Sequence, residues 1–427
     1  MIAGRDATSG KARRSELRDP SEDESLPLAG VEVVEFGQYI AGPGAAQLLA
    51  DLGAAVTKVE PPDGDPVRSV GIYGTAMLRT YNRKKRSIVL DLKTRQGREV
   101  ASRLVSVADV VVHNMRPGNM ERFGLGAADV RRLNPGVVYA RVVGFGDHGP
   151  SRARPGYDIA AQAESGIMAI NGDPASDPQR VGFSVVDAAA AYCLSQGILA
   201  ALLKQARTGV CEDVVVSLLD VAIHLQGTVW NEYQQTDIVP ERSGNGQPNA
   251  APAADLVHVK DGDVVVSAYT DVHWERLCTL LGRADLVADP RFADNRVRVA
   301  HRLDLLDILS DAFRAMTRAE VVALLSGEGL VVGAVLDHSE VLASPDVVAD
   351  HYFTSAVGET GERFTVPALP FRIGTQVVNG GMVPRVGQHA AEILAALGYT
   401  PEQVRDLVAD GVVGSSGPTT KRPQPPT

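Results

Sequence analysis

The sequence is poor in cysteine, with three in 427 residues: Cys193, Cys211 and Cys278. They lie far apart and lack metal-ligand spacing. That excludes a disulfide framework and points to a reduced, cytoplasmic protein. Nine histidines occur singly, none in an H-x-x-x-H pattern, so a metal site is not expected. Positive charge is not in excess. The formal net charge of −10 argues against nucleic acid as a partner, although a local basic pocket can still hold an anionic ligand. Charge-free apolar runs of about 18 residues, which a membrane span needs, are missing, as is a signal-peptide core. No internal repeat is visible.

What remains is globular: 44% hydrophobic and 22% charged residues, long enough for two domains. Residues 1–26 are charged and aperiodic and read as a disordered extension, as does the tail from 413 to 427. Between them, strands alternate with helices. "VEVVEF" (31–36) is a strand, "GQYIAGPG" a glycine-rich turn, and "AAQLLADLG" a helix. Then come strand "AVTKVE" (55–60), strand "RSIVLDL", and a helix from Thr94 with Val100, Leu104 and Val107 on one face. "DVVVHN", "VVYARVVGFG" and "EDVVVS" continue the pattern. Such alternation predicts an α/β fold with a parallel sheet in a large domain over 27–225. A linker (226–252), a smaller α+β domain (253–345) and a segment of short strands and two helices (346–412) follow.

Asp187 opens the apolar helix "VVDAAAAYCLSQGILAALLKQ". N-terminal capping explains an acid there. A helix start also keeps a carboxylate ionised and aimed, which suits a nucleophile for an activated acyl carbon. Asp158 in "GYDIAAQAESG" begins another helix and reads first as a cap. The cluster Arg83, Lys84, Lys85 and Arg86 is either a solvated loop or a phosphate pocket. Arg116 and Arg122 follow the fourth strand, where ligands of open α/β sheets gather. Asp147 and His148 are neighbours in a glycine-rich turn, and turn chemistry accounts for them. The first turn lacks G-x-G-x-x-G spacing, which speaks against a nicotinamide enzyme.

Several segments together resemble the class III coenzyme A transferase family, which includes α-methylacyl-CoA racemase. They are "AGPGAAQLLADLGAAVTKVEPPDGDPVR", "NRKKRSIVLDLKTRQGRE", "HNMRPGNMERFG", "GFGDHGP", "GYDIAAQ" and "VVDAAAAYCLSQGILAAL". The resemblance spans about Leu28 to Gly411. It implies a Rossmann-like large domain rejoined by a C-terminal return (346–412), an interlocked-ring homodimer, acyl-CoA and carboxylic acids as substrates, no metal or redox cofactor, and no nucleic acid or membrane partner. Asp187 falls at the family's nucleophile, Asp158 at its second acid, and Gln38 at a first-turn position near the substrate. Asn82, Lys85, Arg86, Asn114, Met115, Arg122 and Tyr157 fall at coenzyme A-contacting stretches. Gly244 and Gly246 echo a mobile glycine loop, so 243–249 is expected as a lid. The racemase branch carries a histidine where this chain has Tyr157, a poor proton shuttle with a reference pKa of about 10. Transferase is therefore the expected activity. A racemase or isomerase on the same fold, and a coenzyme A-binding protein without catalysis, are the alternatives.

Overall fold

A computed structural model describes residues 25–246, 253–374 and 380–414. Most of the expected disordered ends, 1–24 and 415–427, lie outside the described residues. The chain divides into two compact units: 1–165, 182–227 and 350–427 form the first, 166–181 and 228–349 the second.

In the first unit, strands β1 (Glu32–Glu35), β2 (Ala55–Glu60), β3 (Arg86–Val89), β4 (Val110–His113), β5 (Val138–Val143) and β6 (Asp213–Ser217) form one parallel sheet. Their order is β3-β2-β1-β4-β5-β6. This is the doubly wound Rossmann order, with its topological switch between β1 and β4. Valine recurs in every strand, and β1, β2 and β4 are buried along their whole length, as expected where helices cover both faces. The helices are α1 (Ala41–Asp51), α2 (Gly71–Tyr81), α3 (Arg95–Val107), α4 (Ala127–Leu133), α5 (Asp158–Glu164), α6 (Val185–Thr208) and α7 (Leu218–His224).

Local chemistry explains most boundaries. Thr94 caps α3 as expected, its hydroxyl accepting from the Gly97 N–H at 3.0 Å. Helix α1 starts earlier than the sequence suggests, at Ala41, with Pro43 in its first turn. Proline is tolerated there because its missing N–H would have had no helical partner. Helix α6 is 24 residues long and apolar enough, by length and composition, to cross a bilayer. Here its apolarity serves packing: Val186, Ala190, Leu194 and Ile198 are buried. Gly44 lets α1 approach, since a Cβ there would lie 2.8 Å from the Ala191 methyl.

After 166–181, the second unit resumes at 228 within α8 (Gly227–Thr236), inside the segment expected as a linker. It contains an antiparallel sheet of β7 (Ala254–Val259), β8 (Gly262–Ser267) and β9 (Val331–Ala334). Helices α9 (Asp271–Leu280), α10 (Arg302–Phe313) and α11 (Arg318–Gly327) surround a core of Trp274, Phe292, Leu309 and Phe313. The chain then re-enters the first unit. Hairpin β10 (Phe353–Val357) and β11 (Arg363–Pro367) leads to α12 (Ala390–Ala396) and α13 (Pro401–Ala409). Ile393, Leu394 and Leu407 from these helices share one core with Val34, Val111 and Tyr139 of the parallel sheet.

Candidate active site

A cavity of about 270 Å³ lies at the carboxyl ends of β1, β4 and β5, at the switch point. The turn after β1 contributes Gln38, Tyr39 and Ile40. The segment after β4 contributes Asn114, Met115 and Arg116. Val142 to Gly144, then Arg154 to Tyr157, form a third wall. Asp187 reaches it from the start of α6 and is the only acid lining it among the described residues.

Each wall is fixed by identifiable contacts. The Asn114 side-chain amide pairs with both backbone groups of Gln38, accepting from N–H at 2.8 Å and donating to C=O at 2.8 Å. Tyr39, next in the chain, is held at φ 61°, a left-handed conformation costly for a side chain. Its ring meets Tyr157 edge-on, with centroids 6.4 Å apart. His113 accepts from the Met115 N–H at 3.2 Å. Burial, then the Arg141 guanidinium, pushes its pKa down to about 3, so the imidazole is neutral and structural. Gly144 and Gly156 bring the third wall together. A Cβ on Gly156 would sit 2.6 Å from the Gly144 Cα, so the two backbones touch.

Beneath the first turn lies a dry ionic network. Lys58 Nζ contacts Glu35 Oε1 at 2.9 Å, Asp65 Oδ2 at 2.9 Å and the Gly37 carbonyl at 2.9 Å. Lys85 Nζ contacts Glu35 Oε2 at 2.6 Å, the Pro43 carbonyl at 2.8 Å and Asn82 Oδ1 at 3.3 Å. Burial opposes the charge on Lys58, but Glu35, Asp65 and Glu60 outweigh it and hold its pKa above the usual lysine range. Lys85 is pulled down to about 8 by burial, against the attraction of Glu35.

The basic cluster faces this network and the acids beside it. Arg83 and Lys84 face Asp51, and Lys85 faces Glu35. Arg86 pairs with Glu32 at 3.2 Å. Asn82 and Lys85 are buried, Arg86 is partly buried, and none of the three lines the cavity. Arg122 is exposed outside the lining, donating to Asn119 Oδ1 at 3.1 Å. Gln38, Asn114, Met115, Tyr157 and Asp187 do come together. Asp147 pairs with Arg141 at 2.7 Å, so it and His148 form no acid–base pair. Of the expected lid, Gly244 donates to the Gly172 carbonyl within the second unit, and 247–249 lie outside the described residues.

Asp187 is not a cap. Helix α6 starts at Val185 with Ser184 at the cap position, so Asp187 stands third in the first turn. Desolvation, then the nearby Asp158 carboxylate, raises its pKa from 3.8 to about 7. A half-buried acid with such a pKa in a cavity is a candidate functional position.

The profile of the CoA-transferase family III matches residues 28–390. The chain belongs to the family III CoA-transferases. One relative of this enzyme, a probable fatty acyl-CoA transferase of Mycobacterium tuberculosis, is 37% identical over 88% of the chain and 99% of the relative. The succinyl-CoA–D-citramalate CoA-transferase of Chloroflexus aurantiacus is 35% identical, over 92% of this chain and 100% of its own. A crystal structure of a CaiB/BaiF family protein from Brucella suis superposes with a TM-score of 0.78 at 33% identity, over 87% and 99% of the two chains. In this family III enzyme, sequence reasoning missed Tyr39 and Arg154 as lining residues. Arg154 stacks on Phe145 at 4.2 Å and pairs with Glu164. Neither carries a motif, and loop geometry alone brings them to the cavity.

Proposed function

We propose that this CoA-transferase moves coenzyme A from an acyl-CoA to a carboxylic acid through covalent attachment at Asp187. The observation that carries this is a lone carboxylate facing a switch-point cavity from a helix start. Asp187 Oδ attacks the donor thioester carbonyl, and the C–S bond breaks. A mixed anhydride and coenzyme A thiolate result. The thiolate attacks the aspartyl carbonyl, releasing the donor carboxylate and leaving an aspartyl–CoA thioester. The acceptor carboxylate attacks that carbonyl and expels thiolate, which then attacks the new acyl group. Acyl-CoA leaves and Asp187 is a carboxylate again.

The backbone N–H groups of Val186 and Asp187 are already engaged by Asp158. The Gln38 side-chain amide is therefore the donor we assign to the developing oxyanions. Ile40, Val142, Val143 and Leu218 give the cavity an apolar wall that disfavours water attack on the anhydride. Arg116, with Arg122 nearby in sequence, is assigned to the coenzyme A phosphates. Exposed Ile72, Tyr73, Phe183 and Tyr192 on the first unit support a homodimer as the working form. A cytoplasmic setting suits three cysteines that are all unpaired.

Mixing enzyme with acyl-CoA and trapping before mass spectrometry should place a coenzyme A-sized adduct on the peptide bearing Asp187. Full turnover without an adduct would overturn the mechanism. Transfer should also depend on pH in a stated direction. Attack requires the Asp187 carboxylate, so kcat/KM should rise through about pH 7 and level off above it. A profile already flat from pH 5 upward would contradict this.

A further inference from the structure

We infer that Asp158 is a positioning residue, supplying from α5 the N-terminal cap that the nucleophile's own helix lacks. The inference rests on Asp187 as the attacking group. Ser184 holds the cap position of α6 but makes no capping bond. In its place, Asp158 Oδ2 accepts from the Val186 N–H at 2.8 Å and from the Asp187 N–H at 3.3 Å. These are the second and third residues of the helix, whose N–H groups a cap normally takes.

The other carboxylate oxygen is also committed. Asp158 Oδ1 accepts from Gln162 Nε2 at 2.6 Å, one turn along α5. Asp158 is 5% exposed and Gln162 fully buried. Asp158 is not among the residues lining the cavity. A carboxylate with donors on both oxygens, turned toward a helix end, is badly placed to exchange protons with a substrate. It is well placed to fix the Asp187 backbone, because one of the bonds it accepts comes from that residue itself. The chain reaches this contact through the touching backbones of Gly144 and Gly156, just before Tyr157. Gln162 locks the rotamer from behind.

The role carries a second consequence. The charge of Asp158 helps hold Asp187 protonated up to about neutral pH. Other titratable or charged groups facing this region are Tyr157 beside α5, Tyr81 of α2, Tyr39, Arg116 and Arg154. None of these changes in the variants below.

Asp158→Ala and Asp158→Asn separate positioning from proton transfer. Asparagine is a good cap and keeps an acceptor for the two N–H groups, but it cannot act as an acid or base. For Asp158→Ala, kcat should fall on the order of 10²-fold, from a displaced nucleophile, with KM for acyl-CoA within about threefold of wild type. Asp158→Asn should recover kcat to within about tenfold of wild type. The acid limb of its pH profile should move to lower pH, because Asp187 loses a neighbouring negative charge. Equal losses in both variants, with the acid limb unmoved, would overturn the inference. Should the alanine variant fail to fold by circular dichroism, the asparagine variant decides through its rate and acid limb. A wild-type enzyme without CoA transfer would sink the proposed function instead, so the two failures are distinguishable.

Discussion

Asp187→Ala is expected to lower CoA transfer on the order of 10³-fold or more, with no coenzyme A adduct on the trapped protein. Nothing else in the cavity can substitute, because its remaining polar lining is Gln38, Tyr39, Asn114, Arg116, Asn119, Arg154 and Tyr157, none of them a carboxylate. Binding of coenzyme A itself should survive, since Asp187 contributes no positive charge. A calorimetric titration of the variant with coenzyme A checks that the site is intact. Asp187→Asn adds a stability signature. The acid's pKa is raised in the folded state from 3.8 to about 7. Stability linked to its protonated form is therefore complete below about pH 4 and lost as pH rises through about 7. The asparagine variant has no such loss. Its Tm advantage over wild type should widen between pH 4 and 7 and stay constant above. A dead variant with this widening Tm gap shows a strained active-site acid. A variant with wild-type turnover would remove Asp187 from the chemistry.

Lys58→Met should destabilise the fold by roughly 3–5 kcal/mol, the usual consequence of removing one member of a buried ion pair. Lys58 is fully buried between Glu35 and Asp65, which are buried as well. Its removal leaves Asp65 without its cation and Glu35 with Lys85 alone. The proper control is Lys204→Ala, which breaks a pair whose members are about half exposed. That change should cost no more than about 1 kcal/mol. Urea unfolding of both proteins, followed by far-UV circular dichroism, gives the comparison. Similar midpoints would mean that the interior network contributes little. Turnover of Lys58→Met should also fall, because the lysine holds the Gly37 carbonyl and so the turn bearing Gln38 and Tyr39.

Much of the fold is legible in the sequence because its strands are short valine runs bounded by turns. β2 falls on "AVTKVE" residue for residue. Helix α3 is legible from Thr94 and its apolar stripe. Helix α2 escaped notice because "GIYGTAMLRTY" opens on glycine and buries only Gly74, Met77 and Leu78. The third strand of the small sheet, β9, is a four-residue "VVGA" with two of its residues exposed, and gives little pattern to read. At the site, Asp187 stood out as an acid in an alanine-rich helix, yet its position relative to the cap did not. Capping there depends on Asp158, 29 residues earlier, and no local rule reports a bond across that distance. The partners of the basic cluster are hidden for a related reason. Four adjacent cations look solvated until Asp51, Glu35 and Glu32 are seen opposite them. Those acids sit in β1 and α1, where an apolar reading of the strand hides them.

The pinch between Gly144 and Gly156 separates two jobs that one stretch of chain would otherwise share. Everything from Phe145 to Pro155 leaves and returns through a neck defined by main chain alone. An excursion with touching ends can change length or composition at small entropic cost. Arg154 and Pro155 ride on that excursion and line the cavity, whereas Asp158 lies beyond the neck. Under the proposed mechanism, substrate preference can therefore drift by rewriting the excursion while the helix bearing Asp187 keeps its aim.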